Sequence, residues 1–247
     1  MKFEKKHLTQ IDSTNNYAKQ NLEKVNIPTI IYADFQTNGR GQQNNVWYSE
    51  PSKNLLCSIV LPLYLPIQYN NYISRWTAIV LVEFLKNYID EPLIKIKWPN
   101  DLIIYTNKEY KKIAGILIEN NIEHKLITKT IIGIGLNVNQ TEFGIFNKIA
   151  TSIALITAQT YPISLLINSL ENIISNLFPL LTLQQFENIN RYYINHLYGW
   201  QHEFFYKEKD TLLKGKIIGL SDDGKITIKT TNHQIHNYEN KQIQFIL

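Results

Sequence analysis

"KWPNDLIIYTNKEYKKIAGILIE", residues 97–119, places Lys97, Asn100 and Asp101 around a tryptophan and a strand-breaking proline. Two apolar runs follow it, at 102–105 and 112–119, with the Ile and Leu content of strands that are not exposed on both faces. A polar island of this kind, set at the end of buried strands, is where a scaffold presents chemistry.

Further strand-like runs lie outward from it, at 29–35, 54–61, 94–97 and 126–138. Helical periodicity puts Ile73, Trp76, Val80 and Phe84 on one face. It does the same for Leu166, Leu170, Ile173 and Leu177, and for Phe186, Ile189, Tyr193 and Leu197, with Gly199 as a C′ stop. A shorter helix starts in "DSTNNYAKQNLE" (12–23), where Ser13 or Thr14 is placed to cap it. Past Gly199 the texture changes. "HEFFYK", "DTLLKGKIIGL", "KITIKTT", "HQIHNYE" and "IQFIL" are five short strands, with turns at "SDDGK" (221–225) and "TNH" (231–233). The expected organisation is an α+β domain over residues 1–199, then a small all-β domain over 200–247.

Composition narrows the class. Of 247 residues, 44% are hydrophobic and 19% charged, which is ordinary globular usage. The longest apolar run, 55–67, is broken by Pro62 and Pro66 and is too short to span a bilayer. "MKFEKKHLTQ" at the start has no apolar segment of the signal-peptide kind. The single cysteine, Cys57, excludes an internal disulfide and fits a reducing, cytoplasmic setting; its apolar flanks mark a small core residue rather than a nucleophile. A net charge of +4 with scattered lysines falls short of a nucleic-acid footprint. None of the six histidines falls in a metal-ligand spacing.

Two more polar islands share the strand ends: "TNGRGQQNNVWYSE" (37–50) and "GIGLNVN" (133–139). Arginine is scarce in this lysine-rich chain, yet Arg40 stands between Gly39 and Gly41. A guanidinium is a bidentate fork for an anion where lysine is a point charge, and flanking glycines let backbone N–H groups approach the same anion.

Taken in order, with "DSTNNYAK" (12–19) upstream, these islands resemble biotin–protein ligases, and the tail at 215–247 is similar to that family's C-terminal SH3-like β-barrel. The resemblance covers nearly the whole chain and is to a short form without an N-terminal DNA-binding domain. It implies a mixed sheet backed by helices, related to the class II aminoacyl-tRNA synthetase and lipoate ligase folds. The implied reaction makes biotinyl-5′-AMP and pyrophosphate from biotin and ATP. The biotinyl group then passes to a lysine of a biotin carboxyl carrier protein, as in a carbon–nitrogen ligase. Partners are biotin, ATP with Mg²⁺, and the carrier, without nucleic acid or membrane, in a monomer or homodimer.

The same resemblance assigns roles. Lys112, Arg40 and Asp101 form the catalytic set, with Lys112 contacting both the biotin carboxylate and the α-phosphate. Biotin contacts fall on Ser13, Thr14, Asn15, Gln36, Arg40, Gly41, Gln42, Trp47, Lys112, Gly115 and Leu117. Nucleotide contacts fall on Gly39, Arg40, Lys97, Asn100, Asp101, Lys112 and Asn137, with Asp101 facing Mg²⁺ and Asn137 the adenine edge. On the residues alone, Lys111 and Lys112 are also solvated turn lysines, Ser13–Asn15 a helix cap, Trp47 a core residue and Asn139 a strand end. Because an acyl-adenylate hydrolyses, loops 37–49 and 140–149 are expected to close over it and to be mobile without ligand.

Two departures stand out. Gln42, Gln43, Asn44, Asn45 and Val46 replace the further arginine and glycine common in this loop, and Ser52 stands where glycine is common. Rival readings are a lipoate- or octanoate-protein ligase, a biotin-sensing repressor and an inactive binding module. An arginine-rich Ser-Gly-Gly-Gly stretch would favour the first, and a helix-turn-helix ahead of Ser13 the second. The third predicts loss of Arg40, Lys97, Asp101 and Lys112, all of which are present.

Overall fold

The computed structural model describes residues 1–42, 45–144 and 149–247. Gln43 and Asn44, named above as departures, and part of the expected closing loop 140–149 lie outside the described residues. In chain order the first unit contains β1 (Glu4–Ile11), α1 (Thr14–Gln20), β2 (Thr29–Gln36), β3 (Leu55–Pro66), α2 (Asn70–Leu85), β4 (Ile94–Lys97), β5 (Asp101–Thr106), β6 (Glu109–Glu123), β7 (Leu126–Leu136), α3 (Ile153–Thr157), α4 (Ile163–Leu177) and α5 (Phe186–His196). The seven strands form one mixed sheet in the order β1-β2-β3-β7-β6-β5-β4. β1 and β2 are parallel and every other pair is antiparallel.

The central strands are apolar on both faces because both faces are covered. Ile30, Ile59 and Ile132 join the main core with α2 and α4. Their neighbours Ile31, Val60 and Ile131 point the other way and pack on Ala18 of α1. α2 is buried along most of its length, and its Trp76 donates its indole N–H to Leu177 O at 2.9 Å. α4, with the short turn that extends it, is long and apolar enough to cross a membrane, at a mean hydropathy of 1.2. Here Leu166, Ile167, Leu170 and Ile174 face the core, while Glu171 pairs with Lys5 of β1.

Several expectations are corrected. β1 was not expected as a strand: its residues are nearly all polar and exposed, because it is the sheet edge and needs no apolar face. β3 continues through Pro62, which the sheet accommodates with a register shift between Pro62 and Leu65. Neither Ser13 nor Thr14 caps α1 with its side chain. Gln36 on β2 does so from outside the helix, accepting from Thr14 N at 2.7 Å. α5 ends at His196, so Gly199 is not its C′ residue; it serves a separate turn at φ +79°, pressed against Phe204. Ser52 adopts φ +58°, so the left-handed turn that glycine would favour is kept without glycine.

The tail is a five-stranded antiparallel sheet of β8 (Phe204–Glu208), β9 (Thr211–Leu220), β10 (Ile226–Thr230), β11 (Ile235–Tyr238) and β12 (Ile243–Phe245), in the order β11-β10-β9-β8-β12. Its 221–225 turn plugs into the larger unit. Tyr72 donates to Asp222 Oδ1 at 2.7 Å and Trp98 Nε1 to Gly224 O at 3.0 Å. Arg75, only 3% exposed, donates to Ser221 O and to Asn190 Oδ1. Replacing a buried charged donor strands its acceptors and leaves a void. Arg75→Ala should therefore lower stability by roughly 2–4 kcal/mol in urea unfolding.

Candidate active site

A β-bulge sets the site. β5 and β6 pair Asp101 with Gly115 and Leu102 with Ala114, then shift so that Ile103 pairs with Lys112. In a regular strand, residues three apart point to opposite faces. The extra residue, buried Ile113, brings Lys112 onto the same face as Gly115. A Cβ added at Gly115 would lie 3.4 Å from Lys112 Nζ. The Lys112 backbone is held by Ile149 O at 2.6 Å and by Thr151 N at 2.8 Å. Lys111, one residue earlier, pairs instead with Glu109 at 2.9 Å.

Across the tight turn from β4 to β5, which contains a cis Trp98–Pro99 bond, Lys97 and Asp101 are sheet partners. Asp101 Oδ1 lies 2.7 Å from Lys112 Nζ, and Oδ2 lies 3.3 Å from Lys97 Nζ. Asn100 is anchored by Nδ2 to Ile116 O at 2.8 Å.

These groups open on a cavity of about 580 Å³. At its polar end Ser13, Thr14, Asn15 and Gln36 meet. Ser58, beneath them, places Oγ 2.8 Å from Thr14 Oγ1 and 2.6 Å from Asn15 Oδ1. Its floor is flattened by glycines: Gly115 and Gly135 are direct partners on β6 and β7, as are Leu117 and Gly133. The Trp47 indole rests on the first pair; a Cβ at Gly135 would sit 2.4 Å from its Cε2. Lys112 Nζ is 5.4 Å from the centroid of that ring, a cation–π distance. Within the described part of the 37–50 segment, Arg40 is bridged to Val46 and Gly41 N is bonded to Asn45 O at 2.7 Å.

Of the expected residues, Ser13, Thr14, Asn15, Gln36, Arg40, Gly41, Gln42, Trp47, Lys97, Asn100, Asp101, Lys112, Gly115 and Leu117 all line this one cavity. Two do not. Gly39 packs against the backbone of Trp47 in the same loop, where a Cβ would be 2.3 Å from Trp47 O. Asn137 is buried, and its Nδ2 is committed to Thr151 O at 3.0 Å, one link from Lys112 rather than in the cavity. Asn139 is a strand-end tether, exchanging hydrogen bonds with the Tyr161 backbone.

The sequence reading missed the contribution of the second sheet. Lys207, Lys209 and Lys241 enter the same cavity, giving six cationic lining side chains with Arg40, Lys97 and Lys112, against one carboxylate, Asp101, among the described residues. No local pattern distinguishes those three lysines from the other exposed lysines of the tail. An excess of fixed positive charge in a concave site attracts and holds anions.

A family model for the biotin/lipoate A/B protein ligase family matches residues 8–137, more than half of the chain. The chain belongs to that family. The bifunctional ligase/repressor BirA of Bacillus spizizenii is 36% identical over 132 residues, covering 53% of this chain and 39% of that protein. The biotin–[acetyl-CoA-carboxylase] ligase of Mycobacterium tuberculosis is 27% identical over 114 residues, 45% of this chain and 40% of its own length. The matches thus span about two-fifths of these curated relatives. In three dimensions the likeness is fuller. The biotin protein ligase from Aquifex aeolicus, in complex with biotin and ATP, superposes with a TM-score of 0.74 at 25% identity over 98% of each chain.

Within this biotin/lipoate ligase-family fold, Cys57 also lines the cavity, although it is 1% exposed. Burial pushes its thiol up to about 12, which keeps it protonated and unsuited to nucleophilic work. Maleimide labelling at pH 8, followed by intact mass, should therefore be at least about a hundredfold slower in the folded than in the urea-unfolded protein.

Proposed function

We propose that this chain is an ATP-dependent biotin–protein ligase. It forms biotinyl-5′-AMP and pyrophosphate, then transfers the biotinyl group to a lysine of a biotin carboxyl carrier protein. The observation that carries the reading is the single cavity just described. Hydroxyl and amide groups lie at one end, the Trp47 indole seated on paired glycines in the middle, and clustered cations at the other. Biotin is a polar ureido ring system on an apolar chain ending in a carboxylate, and the adenylate extends that end with a phosphate.

In the first step a carboxylate oxygen of biotin bonds to the α-phosphorus while the bond to pyrophosphate breaks. Two anions must meet, so fixed positive charge and positioning dominate over acid–base chemistry. Lys112 faces both partners, held in line by the bulge. Arg40 and Lys97 neutralise the phosphate side, and Lys207, Lys209 and Lys241 extend the same field. Ser13, Thr14, Asn15 and Gln36 hold the ureido end. In the second step the carrier lysine's nitrogen attacks the acyl carbon and AMP departs with the bonding electrons. Asp101 is placed to orient that amine and to take its proton.

Mg²⁺, when bound with the nucleotide, supplies charge neutralisation on the phosphates. No group of three or more metal-ligating side chains occurs among the described residues. The fit is to an ion held chiefly by phosphate oxygens and water, with Asp101 as the protein carboxylate and Asn100 beside it. Residues 1–199 would form the catalytic domain and 200–247 the β domain that closes its cationic end. A reducing, cytoplasmic setting accords with the free buried Cys57, and the enzyme would work as a monomer or homodimer.

Lys112→Ala should retain the native circular dichroism spectrum and lose about 10²–10³-fold in biotin-dependent pyrophosphate release. Wild-type release by that variant would reject the assignment. Intact-mass analysis of a carrier domain incubated with ATP and either biotin or lipoate should show the biotin adduct. A lipoate adduct alone would transfer the reading to the lipoate side of the family.

A further inference from the structure

Glu119 lies on β6, two residues beyond Leu117, and does not line the cavity. Two cavity residues from different elements nevertheless meet on its carboxylate. Oε2 accepts from Asn15 Nδ2 at 2.9 Å and from Arg40 Nη1 at 3.2 Å, and Oε1 accepts from Arg40 Nη2 at 3.3 Å. Lys19 Nζ stands 3.6 Å from Oε1, and Arg40 Nη1 also donates to Asn16 Oδ1 at 2.8 Å. Burial raises the Glu119 pKa, but the Asn15 hydrogen bond and the charges of Arg40 and Lys19 outweigh it and hold the group below the usual carboxylate range. The group is therefore an anion, and only an acceptor, at neutral pH.

That fixes two things at once. An acceptor on this side obliges Asn15 to present Nδ2 to Glu119, which turns Oδ1 toward Ser58 and over Gly133, where a Cβ would be 2.3 Å away. The same carboxylate takes the Arg40 guanidinium in a fork-to-fork arrangement and so ties the 37–50 loop to the sheet. The pair is partly exposed, with side-chain exposures of 37% for Arg40 and 20% for Glu119. Pairs of this kind add little to global stability, so the effect of this one is on position.

We infer that Glu119 is a positioning residue that sets Asn15 and Arg40 together, coupling the polar end of the cavity to the loop that carries its arginine. The role of the coupling in biotin binding rests on the ligase reading above; the coupling itself does not. Arg40 thus meets the ligand's anion already oriented by a protein carboxylate, and Glu119 adds a link between α1 and the loop to the direct Arg40–Asn16 contact.

The test uses Glu119→Ala, Arg40→Ala and the double variant. In the ligand-free protein, hydrogen exchange at the Gly41 and Trp47 amides, both bonded within the loop, should accelerate about tenfold in Glu119→Ala, the effect of losing roughly one charge-assisted hydrogen bond. The double variant should exchange no faster than Arg40→Ala, while the amide of Ile228 in β10 stays unchanged. Unchanged loop exchange in Glu119→Ala, or additive effects in the double variant, would overturn the inference. Glu119→Gln substitutes should Glu119→Ala not fold, with the same expected direction. Calorimetry should show the Kd for biotin rising about tenfold in Glu119→Ala; an unchanged Kd would remove the link to the polar end. Wild-type protein that binds no biotin would reject the ligase reading, while the exchange data would still decide the coupling.

Discussion

The arrangement hangs on one irregularity in a β-ladder. In an unbroken register Ile113 would pair with Ile103 and face the cavity, and Lys112 would point into the core. The bulge turns Lys112 outward and leaves its backbone groups to be satisfied by residues 149–151. That in turn fixes Thr151, to which Asn137 is bonded, and so ties the end of β7 to the same lysine. The slip between β5 and β6, one of several register shifts in this sheet, thus serves to aim an ammonium group.

Around that lysine the site is balanced by pairs rather than left as bare charge. Lys97 and Lys112 share Asp101, and Arg40 rests on Glu119. An anionic ligand would therefore enter by exchange of partners, which costs less reorganisation than gathering loose cations. The tail sheet adds charge on lysines more exposed than Lys97 and Lys112. Its 221–225 turn, locked to Tyr72, Arg75 and Trp98, holds that sheet in place over the opening.

Much of this was legible in the sequence where local pattern and burial agree. β4 was expected at 94–97 and is found there, and the five tail strands appear in their expected places, because alternation and turn residues point the same way. β1 escaped because an edge strand carries no apolar stripe, and α3 because five residues are too few to show a period. Most of the expected residues that line the one cavity cluster in unusual polar words. Glu119, Ser58, Gly133, Gly135 and the three tail lysines were not among them: their roles arise from strand register and from the meeting of distant segments. Asn137 shows the opposite case. Its polar motif is genuine, but its amide is turned to the backbone of residue 151.

The paired glycines of β6 and β7 give the cavity an unusual relation to change. Elsewhere in a folded core, harm comes from taking atoms away. Here the space is made of side chains that are not there, and Trp47 and Asn15 already occupy its walls at contact distance. The floor is therefore sensitive to gain rather than loss: a methyl group added at Gly133 or Gly135 would drive Asn15 or Trp47 out of its seat and into the cavity.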